Sequence, residues 1–175
     1  MPAAHVHGPD STQQTILSDG YMPQPPLSLA AYRAGLGQVV GQSEWVHIEQ
    51  PMINTFAALT GDNQYIHIDP ERARQTPLGG TVAHGFLTLA IIGGLGPKTI
   101  PPIEGTKIGF NYGFDRIRFV TPVPSGSWIR AAFAARNVEQ RSAGKIMLAF
   151  DVTVEIEGEA KPALVAQWLT LMVKD

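Results

Sequence analysis

The stretch from Ala83 to Leu95 limits what this chain can fold into more than any other. Phe86, Leu87, Leu89, Ala90, Ile91, Ile92 and Leu95 would cover nearly every face of a helix with apolar side chains, and such a helix must be buried. It does not span a membrane. Its longest apolar run, Phe86 to Leu95, is broken by glycines and has about half of the ~20 residues a span requires.

Residues downstream of this helix supply the cover. Ile146, Leu148, Phe150, Val152, Val154 and Ile156 alternate with Met147, Ala149, Asp151, Thr153, Glu155 and Glu157, the period of a half-buried strand. Trp128 to Val138 and Ala163 to Val173 are patterned alike, with turn clusters at Gly144 and Gly158, and Phe110 to Val120 predicts a further strand. Consecutive strands on short turns make an antiparallel sheet, and a helix apolar all round needs the concave face of that sheet. The expected class is α+β, with a sheet wrapped around a central helix.

Upstream, residues 1–26 contain Pro2, Pro9, Pro23, Pro25 and Pro26 among polar residues and no sustained apolar period, which predicts an extended arm. His5 and His7 lie in that arm without further ligands. Residues 27–175 are expected to form a single domain, since 175 residues suffice for one sizeable core. Within it a short helix is expected over Leu27 to Leu36 and a strand over Val39 to Ile48. Pro51 then opens a helix with Met52, Ile53, Phe56 and Leu59 at helical spacing, and Gly61 stops it.

Charge and cysteine content exclude several functions. A net charge of -2 without a large basic patch argues against nucleic acid as a partner. The absence of cysteine removes disulfides, thiolate catalysis and cysteine-held metals. It fits a reducing cytoplasm, as does an N-terminus with no secretory signal pattern.

The helix stop places Asp62 immediately past a helix C-terminus. Asp69-Pro70-Glu71 starts the next helix, so His67 is expected in the short loop between two helical pieces. The structural alternative is an Asx-type turn at Asp62 and a satisfied surface histidine at His67. The start of the apolar helix at Ala83, His84 and Gly85 offers backbone N–H groups without intrahelical partners and the positive end of the helix dipole. A carboxylate, an imidazole and such amides suit the addition or removal of water beside a thioester carbonyl. That chemistry must move a proton at the alpha carbon, activate a water and hold negative charge on the carbonyl oxygen. His84 is a candidate second acid-base or substrate-binding group; with His67 and Asp69 it could also be taken for a metal ligand, although no metal-ligand spacing supports that. Arg116 and Arg118 alternate with Ile117 and Phe119, which marks either a solvated face or contacts to nucleotide phosphates.

Three blocks resemble one family. "FAALTGDNQYIHIDPERA" (Phe56 to Ala73), "GGTVAHGFLTL" (Gly79 to Leu89) and "NYGFDRIRFVTPVPSGS" (Asn111 to Ser127), with "PALVAQW" (Pro162 to Trp168), are similar to the MaoC-like dehydratases, the (R)-specific enoyl-CoA hydratases, and within them to the nodulation protein N-like subgroup. The resemblance covers residues 36–173. It implies the hot-dog fold and a water activated between Asp62 and His67, with the thioester carbonyl polarised by the Gly85 N–H. It further implies a homodimer acting on an acyl-CoA thioester, with no cofactor or metal beyond the coenzyme A of the substrate. Many members read D-x-N-P-x-H where this chain has Asp62-Asn63-Gln64-Tyr65-Ile66-His67, so Gln64 is expected to stand in for the asparagine. Asn111 and Tyr112 are candidates for lining the substrate channel. The rival readings are a dehydratase of carrier-protein-bound chains, a hot-dog thioesterase and a non-catalytic acyl-CoA-binding protein.

Overall fold

A computed structural model describes residues 24–174; His5, His7 and most of the expected arm lie outside the described residues. The elements run α1 (Leu29–Ala34), β1 (Val39–Gln42), β2 (Val46–His47), α2 (Gln50–Thr60), α3 (Tyr65–Ile68), α4 (Pro70–Arg74), α5 (Gly85–Thr99), β3 (Thr106–Phe119), β4 (Trp128–Ser142), β5 (Lys145–Ile156) and β6 (Leu164–Lys174). One antiparallel sheet has the order β1-β4-β5-β6-β3, with β2 also paired to β4. This is the hot-dog arrangement, with α5 lying on the sheet. Among the described residues no helix is long and apolar enough to cross a membrane.

The alternation in the sequence sets which side faces α5. Ile129, Ala131, Phe133 and Ala135 of β4 and Ile146, Leu148, Phe150, Val152, Val154 and Ile156 of β5 are all buried in one core, joined by Leu87 and Ile92 of α5. Contact between helix and sheet is close at Gly96, where a Cβ would come within 2.4 Å of the Trp168 ring. Only glycine fits there. The Trp168 indole is fixed in turn by donating its Nε1–H to Asn111 Oδ1 at 2.8 Å.

Four expectations need correction. The strand over Val39 to Ile48 is two short strands: between them Ser43 bonds Ala131 through both its backbone N–H (2.9 Å) and its Oγ, which accepts from the Ala131 N–H (3.0 Å), replacing the regular ladder. The first helix is shorter than Leu27 to Leu36, because Ser28 caps it and Leu27 bridges to Ile103 instead. The central helix starts at Gly85, with His84 at its N-cap, and not at Ala83, whose N–H bonds Val123 O at 2.8 Å. Among the described residues it is also not covered on all faces. Phe86 is 67% exposed and Ala90, Gly93 and Gly94 are exposed beside it, since one sheet covers only one side of a helix. Among the described residues β3, on the same edge, pairs with β6 alone, and Ile108, Phe110 and Tyr112 are exposed along it.

Candidate active site

The end of α2 builds the first half of the site. Gly61 adopts a left-handed φ of 78° and its N–H bonds Ala57 O, a conformation that stops the helix at little cost only for glycine. The chain is thereby turned so that Asp62 lies on an exposed loop. His67 does not sit in a loop, as expected, but in the helical turn α3, braced by His67 N–H to Gln64 O (2.9 Å) and Asp69 N–H to Tyr65 O (3.0 Å). Asp69 caps α4 by accepting from the Arg72 N–H at 3.0 Å.

His67 is 7% exposed, which sets aside the surface-histidine alternative. Its Nδ1 lies 2.7 Å from the carbonyl oxygen of Val82. A carbonyl can only accept, so Nδ1 carries a proton, and in the neutral ring the lone pair is then on Nε2. His84 is treated the opposite way. Its Nε2 lies 2.9 Å from the Asp62 carbonyl oxygen and so donates to it, while its buried Nδ1 has no partner among the described residues. The two imidazoles stack with centroids 3.7 Å apart and planes 25° from parallel, and Phe56 packs against His84 at 5.1 Å. His84 therefore holds the Asp62 loop and the face of His67; its donor is spent on protein.

Asp62, His67 and His84 each place one ligand-type atom within 4.8 Å of the other two. These three, and not Asp69, would be the candidates for holding a metal. The stacking works against it: imidazole lone pairs lie in the ring plane, and near-parallel rings aim them side by side and not at one ion. A water accepts such a geometry readily, being able to donate in two directions.

The second half is the start of α5. The Gly85 and Phe86 amides, in the first turn, have no intrahelical acceptor, and the helix dipole adds positive potential there. A Cβ at Gly85 would lie 2.9 Å from the Phe119 ring, so the glycine lets that ring close against the amide. Gly85, Thr88 and Phe119 line a cavity of about 370 Å³ at this end of the helix. A second cavity, of about 410 Å³, lies toward the other end, lined by Gly93, Gly96, Phe110, Asn111, Phe150 and Trp168 among others.

The structure thus unites Asp62, His67 and His84 and sets Gly85 just beyond His84. Gln64 is the exposed N-cap of α3 and its side chain makes no cap bond. Asn111 and Tyr112 are elsewhere. Phe119 touches Gly85, and Asn111 is eight residues back along β3, about 26 Å at strand rise; it lines the second cavity, while Tyr112 is exposed. Arg116 and Arg118 are exposed. Gln50, Thr81 and Val82 were not singled out by any local pattern, yet they fasten His67.

The chain matches the model of the family described as MaoC like domain over residues 33–156. It is 44% identical over 150 residues to nodulation protein N of Rhizobium leguminosarum bv. viciae, covering 85% of this chain and 93% of that protein. To 3-hydroxyacyl-thioester dehydratase Z of Mycobacterium tuberculosis it is 46% identical over 140 residues, or 80% and 92% of the two chains. In fold it is similar to a MaoC-like dehydratase from Rhodospirillum rubrum (TM-score 0.68, 19% identity, 85% and 98% of the two chains). The (R)-hydratase from A. caviae involved in PHA biosynthesis is similar as well (TM-score 0.61, 21% identity, 76% and 95%).

Proposed function

The chain belongs to the MaoC-like family, and from that premise we propose that it is a hydro-lyase that reversibly adds water to a trans-2-enoyl thioester, giving the (R)-3-hydroxyacyl product. The observation that carries this reading is the His67 tautomer. With Nδ1–H held by Val82 O at 2.7 Å, Nε2 is the basic position of the neutral ring, and His67 offers a ring nitrogen within 4.8 Å of an Asp62 carboxylate oxygen.

In the hydration direction the water oxygen attacks C3 as His67 Nε2 takes one of its protons and Asp62 holds the other. The C2–C3 π electrons move toward the carbonyl, and the Gly85 N–H stabilises the enolate oxygen that forms. A proton returned to C2 from the Asp62–His67 pair completes the addition. No step calls on a metal or cofactor.

The cavity at Gly93 and Gly96 suits the acyl tail. Gly93 lies eight residues along α5 from Gly85, about 12 Å at helical rise, so a chain anchored at the amide has that length to run before reaching it. The uncovered face of α5 around Phe86 and the unpaired edge of β3 suit a second copy of the chain, which supports a homodimer.

The test is hydration of crotonyl-CoA and longer enoyl-CoA substrates, monitored as loss of the conjugated-thioester absorbance. The same acyl groups on a carrier protein would show which carrier is used, the finer reading being CoA. Release of free thiol without hydroxyacyl product, or binding without any change in absorbance, would replace the proposal by a thioesterase or a binding protein.

A further inference from the structure

We infer that Gln50 is a positioning residue for His67, acting together with Thr81. This rests on the hydratase reading of the site. Gln50 is the first residue of α2, and the N-cap before it, Glu49, makes no side-chain cap bond. The Gln50 side chain does not cap the helix either. Its Nε2 donates to the carbonyl oxygen of His67 at 2.7 Å and to Asn54 Oδ1 at 2.8 Å, and its Oε1 accepts a short hydrogen bond from the Thr81 hydroxyl. Both N–H donors and the carbonyl oxygen of the amide are thus engaged.

Those bonds join the two segments that define the base. Residues 65–68 and 81–84 are fastened to each other by Val82 N–H to Ile66 O at 3.0 Å and by His67 Nδ1–H to Val82 O at 2.7 Å. The second of these fixes the tautomer. Gln50 grips the first segment at His67 O and the second at Thr81, the residue just before Val82, so the two cannot slide past one another without breaking its bonds. An amide is required. A carboxylate would lose the donor to His67 O, and an ammonium would lose the acceptor for a Thr81 side chain in a residue only 6% exposed. Gln50 is not among the residues lining either cavity, and its effect is carried by where His67 Nε2 points.

The experiment uses the full chain with ¹⁵N-labelled histidine, His67→Ala serving to assign the signal, alongside steady-state hydration of crotonyl-CoA. In the wild type His67 is expected as a single Nδ1–H tautomer. In Gln50→Met and in Thr81→Val the His67 signal should move toward mixed tautomers. The kcat should fall by about 10²-fold, the loss expected when a reacting group is displaced by about 1 Å, with KM little changed. Thr81→Ser, which keeps the hydroxyl, should retain both the signal and kcat, and the double variant should lose no more than Gln50→Met alone. If Gln50→Met does not fold, the Thr81 pair still decides. Wild-type kcat in Thr81→Val, or a fall in kcat with the His67 signal unchanged, overturns the inference. Should the wild type not hydrate enoyl thioesters at all, the functional reading fails while the tautomer measurement still judges the clamp.

Discussion

The ring of His84 lies face to face with that of His67, centroids 3.7 Å apart, and the two imidazoles present opposite nitrogens to the backbone. His67 gives Nδ1–H to Val82 and His84 gives Nε2–H to Asp62, so one bond orients the proposed base and the other holds the loop that carries Asp62. The arrangement leaves His84 Nδ1 buried without a partner among the described residues, a defect that ordinarily costs about 1–3 kcal/mol.

That cost separates stability from activity. His84→Leu removes the orphaned nitrogen, and the Asp62 carbonyl it releases lies on an exposed loop where water can replace the lost bond. The melting temperature is expected to hold or rise. Without the stack and the loop contact, kcat should drop by about 10²-fold; thermal melting and steady-state hydration measured on the same preparation check both halves.

Asp62→Asn keeps the shape of an exposed side chain and removes only its charge and basicity. It should lower kcat by about 10²–10⁴-fold, the range of a general acid-base group, with an unchanged melting curve. His67→Ala should lose as much activity, and because it also empties a buried position it should melt earlier.

Gly85→Ala tests the helix end. The new methyl would meet the Phe119 ring at 2.9 to 3.0 Å, but that residue is 48% exposed and its ring can turn aside, so the fold should tolerate the change. Activity should not, because the ring would move within the cavity it shares with the Gly85 amide. A loss of up to about 10²–10³-fold in kcat is expected, as for a lost oxyanion donor. Recovery in Gly85→Ala/Phe119→Ala would locate the damage in the ring's position.

Gly93 lines the larger cavity, and no atom lies within 4 Å of where its Cβ would be. Gly93→Leu should therefore fold, aided by up to about 1 kcal/mol of helix propensity, and should fill the space assigned to the acyl tail. Crotonyl-CoA turnover is expected to persist while kcat/KM for longer enoyl chains falls by at least about 10-fold, the scale of a methylene clash in an apolar pocket.

Tyr32, 1% exposed, donates its hydroxyl to the Pro101 carbonyl, and burial pushes its phenol above the usual 10.0. The folded state therefore holds this proton more tightly than the unfolded chain. Stability should be unaffected by this group below pH 10 and should fall as pH rises past it, because only the unfolded tyrosine ionises there. Melting curves at rising alkaline pH should show the decline, and Tyr32→Phe should flatten it at the expense of an unpaired Pro101 carbonyl.

Features that depend on spacing along the chain are legible in the residues alone. The apolar face of α5, the two-residue alternation of β4 and β5, the stop at Gly61 and the five-residue step from Asp62 to His67 are all local, since a helix or strand repeats its side-chain directions every few residues. Family resemblance added the roles proposed for Asp62, His67 and Gly85. Folding sets which nitrogen of His67 bonds the backbone, why His84 faces Asp62, how Gln50 reaches Thr81 and why Asn111 belongs with Trp168. It also leaves one side of α5 open among the described residues. Each of these is a contact between segments brought together only by folding, several of them to backbone carbonyls, and every residue has a carbonyl, so such a bond leaves no residue type in the chain to read.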